Sequence, residues 1–499
     1  MPLRILCGTI CEKKDLENLF TSLRANHAQD FIIFAPKNLL NTITQPQPSH
    51  IILQDSAQAH LENIDFLYLP DSAQVESALK AQTPYFSNPK MPNPIKQILK
   101  AIKNLCENML DSIALCSAKI FTRLSYAMSK KPKNQRRKLA IIRTDAIGDY
   151  LLFRNFLPCF YEHFGKITLI GNAAYSDLAL NFDRQYLEEF IPLHMRRFSR
   201  NPLYRFKSVY KIACLEFETA INPIFSRDKA SEKIAKIIRA RQKYAPKGDL
   251  NNLNARDYAR FAKNYTLLTP CKEGVMFEFE RNAEFASALL GKTIFPPLTL
   301  ELGDCALQEF ERFNLPKPYV VLFIGASTSW RKWDIKNFYK VGLWHLSKGF
   351  HVVICGGRED SQNGENLATM LNTQSNLTKQ TKGFHAFNLC GKTTLCALAR
   401  VVYNGNHLVS NETSCAHLAA TLRHDISIYV VSNGNHLYRF TPYPCRVRGK
   451  YYGIYHPIID KNLCAYAFLS NYMQNPSRLD INQITPQRVI EVIENTLDS

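Results

Sequence analysis

Residues 139–158 read LAIIRTDAIGDYLLFRNFLP. The pattern predicts a buried strand over 139–144, a short turn closing on Gly148 and Asp149, and then an apolar helix. A run such as Ala140-Ile141-Ile142 bounded by charge suits a central parallel strand, because both of its faces are covered. Gly148 allows a tight backbone path, and Asp149 falls at the start of the helix. Its carboxylate therefore sits at the carboxyl end of a strand, where open α/β sheets place ligands. Spacing alone leaves two readings of Asp149 level: an acid facing a ligand, or a cap for the helix amides.

The chain around this stretch has 499 residues, too many for one core, and its length suggests about three domains. Hydrophobic residues at 46% and charged residues at 21% describe a globular protein, which sets aside disorder. No apolar run reaches the roughly 18 residues of a membrane-spanning helix. The opening MPLRILCGTICEKKD has too short an apolar segment for a secretory signal and reads as a first strand. Fourteen cysteines lie scattered without C-x-x-C pairs or zinc spacing, so they read as reduced thiols in a cytoplasmic protein.

The net charge of +19 is concentrated. From Lys90 to Lys138 twelve Lys or Arg face only Glu107 and Asp111, so this tenth of the chain holds a net +10. Such a block implies an anionic partner surface. Within it, apolar residues at 95, 98, 99, 102, 105, 109, 113, 116, 120 and 124 keep helical spacing, and SKKPKNQRRK follows. Two readings compete: a helix packed on its neighbours with a solvated basic face, or an amphipathic element on an anionic membrane. A nucleic-acid partner is disfavoured, because exposed aromatics are not interleaved with the cations.

Four segments follow from this pattern. Residues 1–90 alternate short apolar runs (3–7, 31–35, 51–53, 66–69) with helix-like stretches, as a small parallel α/β domain would. Residues 91–138 hold the Pro-rich linker's end and the basic amphipathic helix. A Rossmann-like unit follows over 139–315, with strands at 139–144, 167–171, 190–193 and 219–224; residues 240–280 read as a partly helical segment bordering a cleft. A second such unit, 316–499, has strands at 319–324, 351–355, 407–409 and 426–431 and a closing helix over 486–497. Two consecutive Rossmann-like halves suggest a ligand cleft between them.

Three loops of the last unit fall at carboxyl ends of strands. GASTSWRKW (325–333) offers the hydroxyls of Ser327 and Thr328 and the cations Arg331 and Lys332, a set that suits a diphosphate. CGGRED (355–360) has the pair Gly356-Gly357, which admits a ligand close to the backbone, with Glu359 and Asp360 as candidate ribose acceptors. SNETSCAHLAA (410–420) presents Glu412, Thr413 and Ser414 at a helix start, where unpaired amides attract phosphate oxygens. His417, one turn in, reads either as part of that pocket or as a packed structural side chain.

Taken together, IIRTDAIGD, IGASTSWRKWDIKNF, VVICGGRED and LCGKTTLCALARVVYNGNHLVSNETSCAHLAATL resemble, in order, the motifs of the glycosyltransferase family 9 heptosyltransferases of bacterial lipopolysaccharide synthesis. The resemblance covers roughly residues 136–499 and leaves the first 135 outside. It implies an α/β chain of the GT-B fold, two Rossmann-like domains facing a cleft, here preceded by the extra small domain and the basic helix. It implies Asp149 as general base on the acceptor hydroxyl. Ser327, Thr328 and a cation at Arg331 or Lys332 would bind the donor diphosphate, and Thr413, Ser414 and His417 would hold the diphosphate and sugar. Where the family usually has Asp-Thr-Gly, this chain has Glu412-Thr413-Ser414, so the geometry facing the sugar differs. The later loop NGNHLYRFTPYP (433–444) is similar to that of a subgroup, which makes His436 and Arg439 secondary candidates beside Arg143, Glu359 and Asp360.

The activity implied is an inverting, metal-independent transfer, most simply of heptose from ADP-heptose, to a lipid-linked core or related surface glycan at the inner membrane. No Asp-x-Asp metal motif is present, and no cofactor is expected. Two rivals remain: the same fold with another nucleotide sugar or a non-lipid acceptor, and a non-catalytic binding protein that keeps the scaffold.

Overall fold

A computed structural model describes residues 136–497 except 378–380, 424, 462, 464–476 and 478. Before residue 136 it describes five strands and the helical residues 109–114, 116, 117 and 120. The linker, the rest of the expected basic helix and most of the basic run lie outside the described residues.

The five early strands, β1 (Leu3–Cys7), β2 (Phe31–Ala35), β3 (Ile51–Asp55), β4 (Phe66–Leu69) and β5 (Tyr85–Ser87), form one sheet in the order β3-β2-β1-β4-β5. Every pairing in it is parallel. Four of the five coincide with the apolar runs of the sequence. The fifth, only three residues long, carries too little pattern to be read.

The second sheet contains β6 (Arg137–Arg143), β7 (Ile167–Asn172), β8 (Leu187–Leu193), β9 (Glu216–Ile221), β10 (Arg239–Pro246) and β11 (Leu267–Thr269), ordered β11-β10-β9-β6-β7-β8. The third contains β12 (Tyr319–Phe323), β13 (His351–Cys355), β14 (Ala386–Asn388), β15 (His407–Asn411), β16 (Ser427–Ser432) and β17 (Tyr451–Tyr455), ordered β14-β13-β12-β15-β16-β17. Both are wholly parallel.

In each large sheet the chain starts at a central strand, builds outward on one side, and crosses back to build the other. The reversal falls between β6 and β9 in one sheet and between β12 and β15 in the other. Strand carbonyl ends diverge there, opening a crevice. The central strands are buried throughout their length: β12 and β13 are fully covered, as is the stretch from Leu139 to Arg143 in β6. Their apolar side chains pack under helices on both faces, as two-sided burial requires.

Two differences from the sequence reading concern strands. β10, RARQKYAP, and β11 fall in the stretch that the sequence reading makes a partly helical segment. The first six residues of β10 are half-buried or exposed, so no apolar run announces it, and backbone pairing to β9 and β11 places it. β14 and β17 border the last sheet and are absent from the sequence reading, β14 because it is only three residues long. The helix Ile335–Ser347 is capped by Asp334, whose Oδ1 accepts from the Lys336 amide at 2.8 Å. Helix Pro486–Leu497 packs on that helix and on the end of the last sheet.

Candidate active site

Asp149 occupies the third position of the helix Ile147–Phe153, which leaves β6 after a three-residue turn. Its Oδ2 accepts from the Ala146 amide at 3.2 Å, so the carboxylate both caps the helix and stands at the crevice mouth. The cap reading and the ligand-facing reading therefore describe one geometry.

The helix is fixed from behind. Tyr150 stacks on Tyr175 with ring centroids 4.0 Å apart, and its hydroxyl donates to buried Asp183 at 2.7 Å. Arg154 adds two bonds to the same carboxylate, at 3.0 and 2.7 Å. Beneath the turn lies Arg143, fully buried. Its Nη2 donates to the Asp149 carbonyl at 3.1 Å, its Nε lies 3.1 Å from Asp145, and Nη2 lies 3.7 Å from Glu278.

Two carboxyls, Asp145 and Glu278, thus share one buried guanidinium, and the Asp149 carboxyl lies within its field. Burial, then the Glu278 charge, push the Asp149 carboxyl upward, against Arg143 and Arg439. Burial pushes Asp145 well up, and the pull of Arg143 only partly opposes it. Arg439 is itself penalised by burial, yet Glu278 and Asp149 hold its charge more firmly than usual.

From the other sheet, the loops after β12 and β15 meet at the matching reversal point. Arg331 donates to the Glu412 carbonyl and, at 3.2 Å, to the Glu412 carboxylate. Ser432 donates to the other Glu412 oxygen at 2.6 Å. Burial lifts the Glu412 carboxyl to about 6, with Arg331 and Ser432 opposing. Thr328 Oγ1 and Arg331 Nε are buried without a hydrogen-bond partner. Lys332 points elsewhere: its ammonium sits 2.5 Å from buried Asp360, whose second oxygen takes the Gly357 amide at 2.9 Å.

Asp360 is thus held on both oxygens, while Glu359 and Ser327 are exposed. A β-carbon on Gly356 would lie 2.9 Å from that of Asp360, and one on Gly325 2.7 Å from its Oδ2. Gly356 therefore admits a side chain of this protein, and the Gly357 amide holds the same side chain in place. Thr413 and Ser414, at the start of the helix Ser414–Ala420, are half-buried, and the Thr413 side chain makes no capping bond.

His417 sits on the seam between the two bodies. Its Nδ1 hydrogen-bonds Tyr443 Oη at 2.6 Å, and burial, then Arg331, push its ring down to about 3, so it is neutral. His436 stands within the electrostatic reach of both Arg439 and Arg331; burial and those two cations lower it to about 4.

The loop after β16 closes the arrangement. Asn433 anchors it to the Trp330 carbonyl at 3.1 Å. His436 and Tyr438 then take left-handed backbone conformations, φ 49° and 61°, which non-glycine residues adopt at a cost. Arg439 reaches across to Glu278 at 3.0 Å and to Ser226 at 2.7 Å, and its carbonyl accepts the Glu278 amide at 2.9 Å.

Together these residues border a cleft of about 310 Å³ between the two bodies, lined among others by Asp145, Asp149, Ser226, Asp249, Glu278, His436 and Arg439. Sequence reasoning singled out Asp149, His436 and Arg439 but not Asp145, Ser226, Asp249 or Glu278. For Asp145 a signal existed, a second acid in the turn after the central strand. Ser226 and Asp249 come from loops and Glu278 from the start of the helix Glu278–Leu290, and their relation to Asp149 exists only in the folded chain.

Two facing parallel sheets, each presenting its reversal point to the shared cleft, have the architecture of the GT-B fold. Residues 256–448 match the family model for glycosyltransferase family 9 (heptosyltransferase). That stretch includes Glu278, Arg331, Glu412, His417, His436 and Arg439, and Asp149 lies upstream of it.

Among solved structures, ADP-heptose lipopolysaccharide heptosyltransferase II of Escherichia coli is similar at a TM-score of 0.52 and 17% identity, covering 72% of this chain and 98% of that one. An E. coli heptosyltransferase bound to ADP gives 0.51 and 15%, with 72% and 98% covered. A family 9 glycosyltransferase from Veillonella parvula gives 0.51 and 15%, with 74% and 100% covered. No curated protein matches the sequence.

Proposed function

We propose that the protein is an inverting heptosyltransferase that moves heptose from ADP-heptose to a lipopolysaccharide core or related surface glycan. The observation that carries this reading is the position of Asp149: across the cleft from it stand Arg439, His436 and, beyond them, Arg331. The E. coli relatives are named as acting with ADP-heptose or holding ADP, which favours that donor here.

In the reaction, an acceptor hydroxyl oxygen attacks the anomeric carbon while the bond from that carbon to the diphosphate oxygen breaks. The bonding pair leaves with ADP, and the hydroxyl proton passes to Asp149. A carboxyl raised by burial is a better base than an exposed one, because its affinity for the proton is higher. One base opposite the leaving group inverts the anomeric centre. Arg331, with the unpartnered Thr328 hydroxyl and the open amides near Thr413, would stabilise the charge arriving on the diphosphate without a metal. Ser327 and Ser414 stand at the rims of the same two loops.

We place the protein at the cytoplasmic face of the inner membrane. On the helical residues before β6, Asp111 and Ala114 are buried, whereas Met109, Ile113 and Ile120 are 59%, 48% and 58% exposed. Arg205 grips the Asp111 carboxylate with two bonds, at 2.8 and 2.5 Å, which turns the apolar stripe outward. An outward apolar stripe inside a segment of net +10 suits an anionic bilayer. Among the described residues no helix is long and apolar enough to cross a membrane.

The test is a donor profile on the purified chain. ADP-heptose should raise the melting temperature and be consumed when a core acceptor is added. Stabilisation by a uridine or guanosine diphosphate sugar, with none by ADP-heptose, would overturn the donor assignment.

A further inference from the structure

The wall around Asp149 has a charge pattern that selects among acceptors. Four carboxylates line the cleft, Asp145, Asp149, Asp249 and Glu278, against two guanidiniums, Arg281 and Arg439. Both guanidiniums are already engaged. Arg439 pairs with Glu278 and takes the Ser226 hydroxyl. Arg281 pairs with Glu284 at 2.9 Å and donates to the Lys272 carbonyl at 2.7 Å, with its plane 4.2 Å from the Phe225 ring centroid. Neither is left to neutralise an incoming anion; with the buried Arg143 beneath Asp145 counted as well, four acids face three paired guanidiniums, a formal excess of one negative charge.

The carboxylates and amides are, in contrast, acceptor-rich. Asp249 accepts from Ser226 at 2.7 Å and from the Asn251 side chain at 2.8 Å, which fixes the loop after β10 in the wall. Asn252 is turned by its bond to the Ser226 carbonyl at 2.8 Å, so its amide nitrogen is occupied. Among the described residues the four acids do not converge as metal ligands would. Carboxylate and amide oxygens spread around a small cavity are the complement of a polyol, each of whose hydroxyls brings a donor.

We infer that the acceptor residue bound beside Asp149 is an uncharged polyhydroxylated sugar, and that the wall of Asp145, Asp249 and Glu278 rejects a sugar bearing phosphate or carboxylate. The inference rests on the transferase reading for its location but not for its measurement. Like charges brought together in a partly desolvated cleft disfavour the wrong partner, and selectivity of this kind is built as much from repulsion as from attraction.

The experiment measures acceptor binding directly, by calorimetry on the full chain saturated with ADP, and sugar transfer separately. The probes are the methyl glycoside of a neutral heptose, its phosphate monoester, and the corresponding uronic acid. The neutral glycoside should bind about tenfold or more tightly than either anion at low salt, and the gap should narrow as salt is raised. The Asp249→Asn variant, which keeps an oxygen acceptor but removes a charge, should narrow the gap at low salt. Equal or tighter binding of an anionic glycoside, or no binding of the neutral one, overturns the inference. Selective binding of the neutral glycoside without transfer from any nucleotide sugar would support it while sinking the transferase reading.

Discussion

Gly148 and His417 touch across the seam between the two sheets, the first on the helix after β6 and the second on the helix after β15. A β-carbon at position 148 would lie 2.6 Å from His417 Cδ2, a separation that real side chains do not tolerate. The imidazole cannot swing away freely, because it is 7% exposed and bonded to Tyr443. Glycine next to the proposed base is therefore what lets the two bodies close on each other.

Gly148→Ala should consequently destabilise the protein by about 1–3 kcal/mol, the usual penalty of overpacking. It should also displace Asp149 and lower turnover. Thermal melts and steady-state rates on the same preparation check this. A variant with wild-type melting and wild-type rate would show that the seam is softer than its geometry.

Asp149→Asn should lower kcat by about a hundredfold or more, the scale of a lost general base, while ADP still raises the melting temperature. In the wild type the base must be deprotonated to act. Because burial and Glu278 lift its carboxyl, kcat/KM should climb with pH along an acid limb above the range where an exposed aspartate titrates. An acid limb at or below that range would contradict the assignment.

Arg439→Met leaves Glu278, 1% exposed, without its nearer partner and with only Arg143, 3.7 Å away. Removing one member of a buried ion pair typically costs about 3–5 kcal/mol. The double variant Arg439→Met/Glu278→Gln should recover a good part of that loss. Denaturant titrations of the four proteins make the comparison, and strictly additive effects would show that the pair is not coupled.

Glu412 offers a pH test of stability. Its folded carboxyl is raised from 4.5 to about 6, so the folded state holds its proton more tightly than the unfolded chain. Its stabilising contribution is present below the unfolded value and is lost as pH rises through about 6. Relative to Glu412→Gln, the wild type should therefore lose about 2 kcal/mol between pH 4.5 and pH 7. Denaturation midpoints across that window measure it, and a constant difference between the two proteins would refute it.

The outward stripe makes a prediction about membranes. Ile113→Asp with Ile120→Asp should reduce cosedimentation with vesicles of phosphatidylglycerol and phosphatidylcholine by about tenfold, and 0.5 M salt should release the wild type. Equal binding by wild type and variant would remove the stripe from the contact.

How far the sequence carries depends on whether burial is two-sided. Strands such as Tyr319–Phe323 and His351–Cys355 are apolar from end to end because both faces are covered, so they are legible. Arg239–Pro246 is held by backbone pairing under half-exposed polar side chains, and a one-dimensional pattern contains no trace of it. The helical residues from 109 to 120 show another limit. Periodicity identified the stripe of Met109, Ile113 and Ile120, but which side faces inward is decided by the distant Arg205. In the site, Asp149, Arg331 and Arg439 lie at strand ends or in a loop with a recognisable pattern. Glu278 acquires its role from Arg439, more than a hundred positions away, and Asp249 is held in the same wall by Ser226, from a different loop.

The bond from Arg439 to Glu278 has a consequence for traffic through the cleft. Residue 439 is tied to residue 278 twice, by side chain and by main chain, and once more to Ser226. These ties bridge the two bodies beside a space of about 310 Å³. A variant that loosens the latch without touching Asp149 should therefore change both the exchange of glycan at the cleft and, because Glu278 and Arg439 act on the Asp149 carboxyl, the strength of the base.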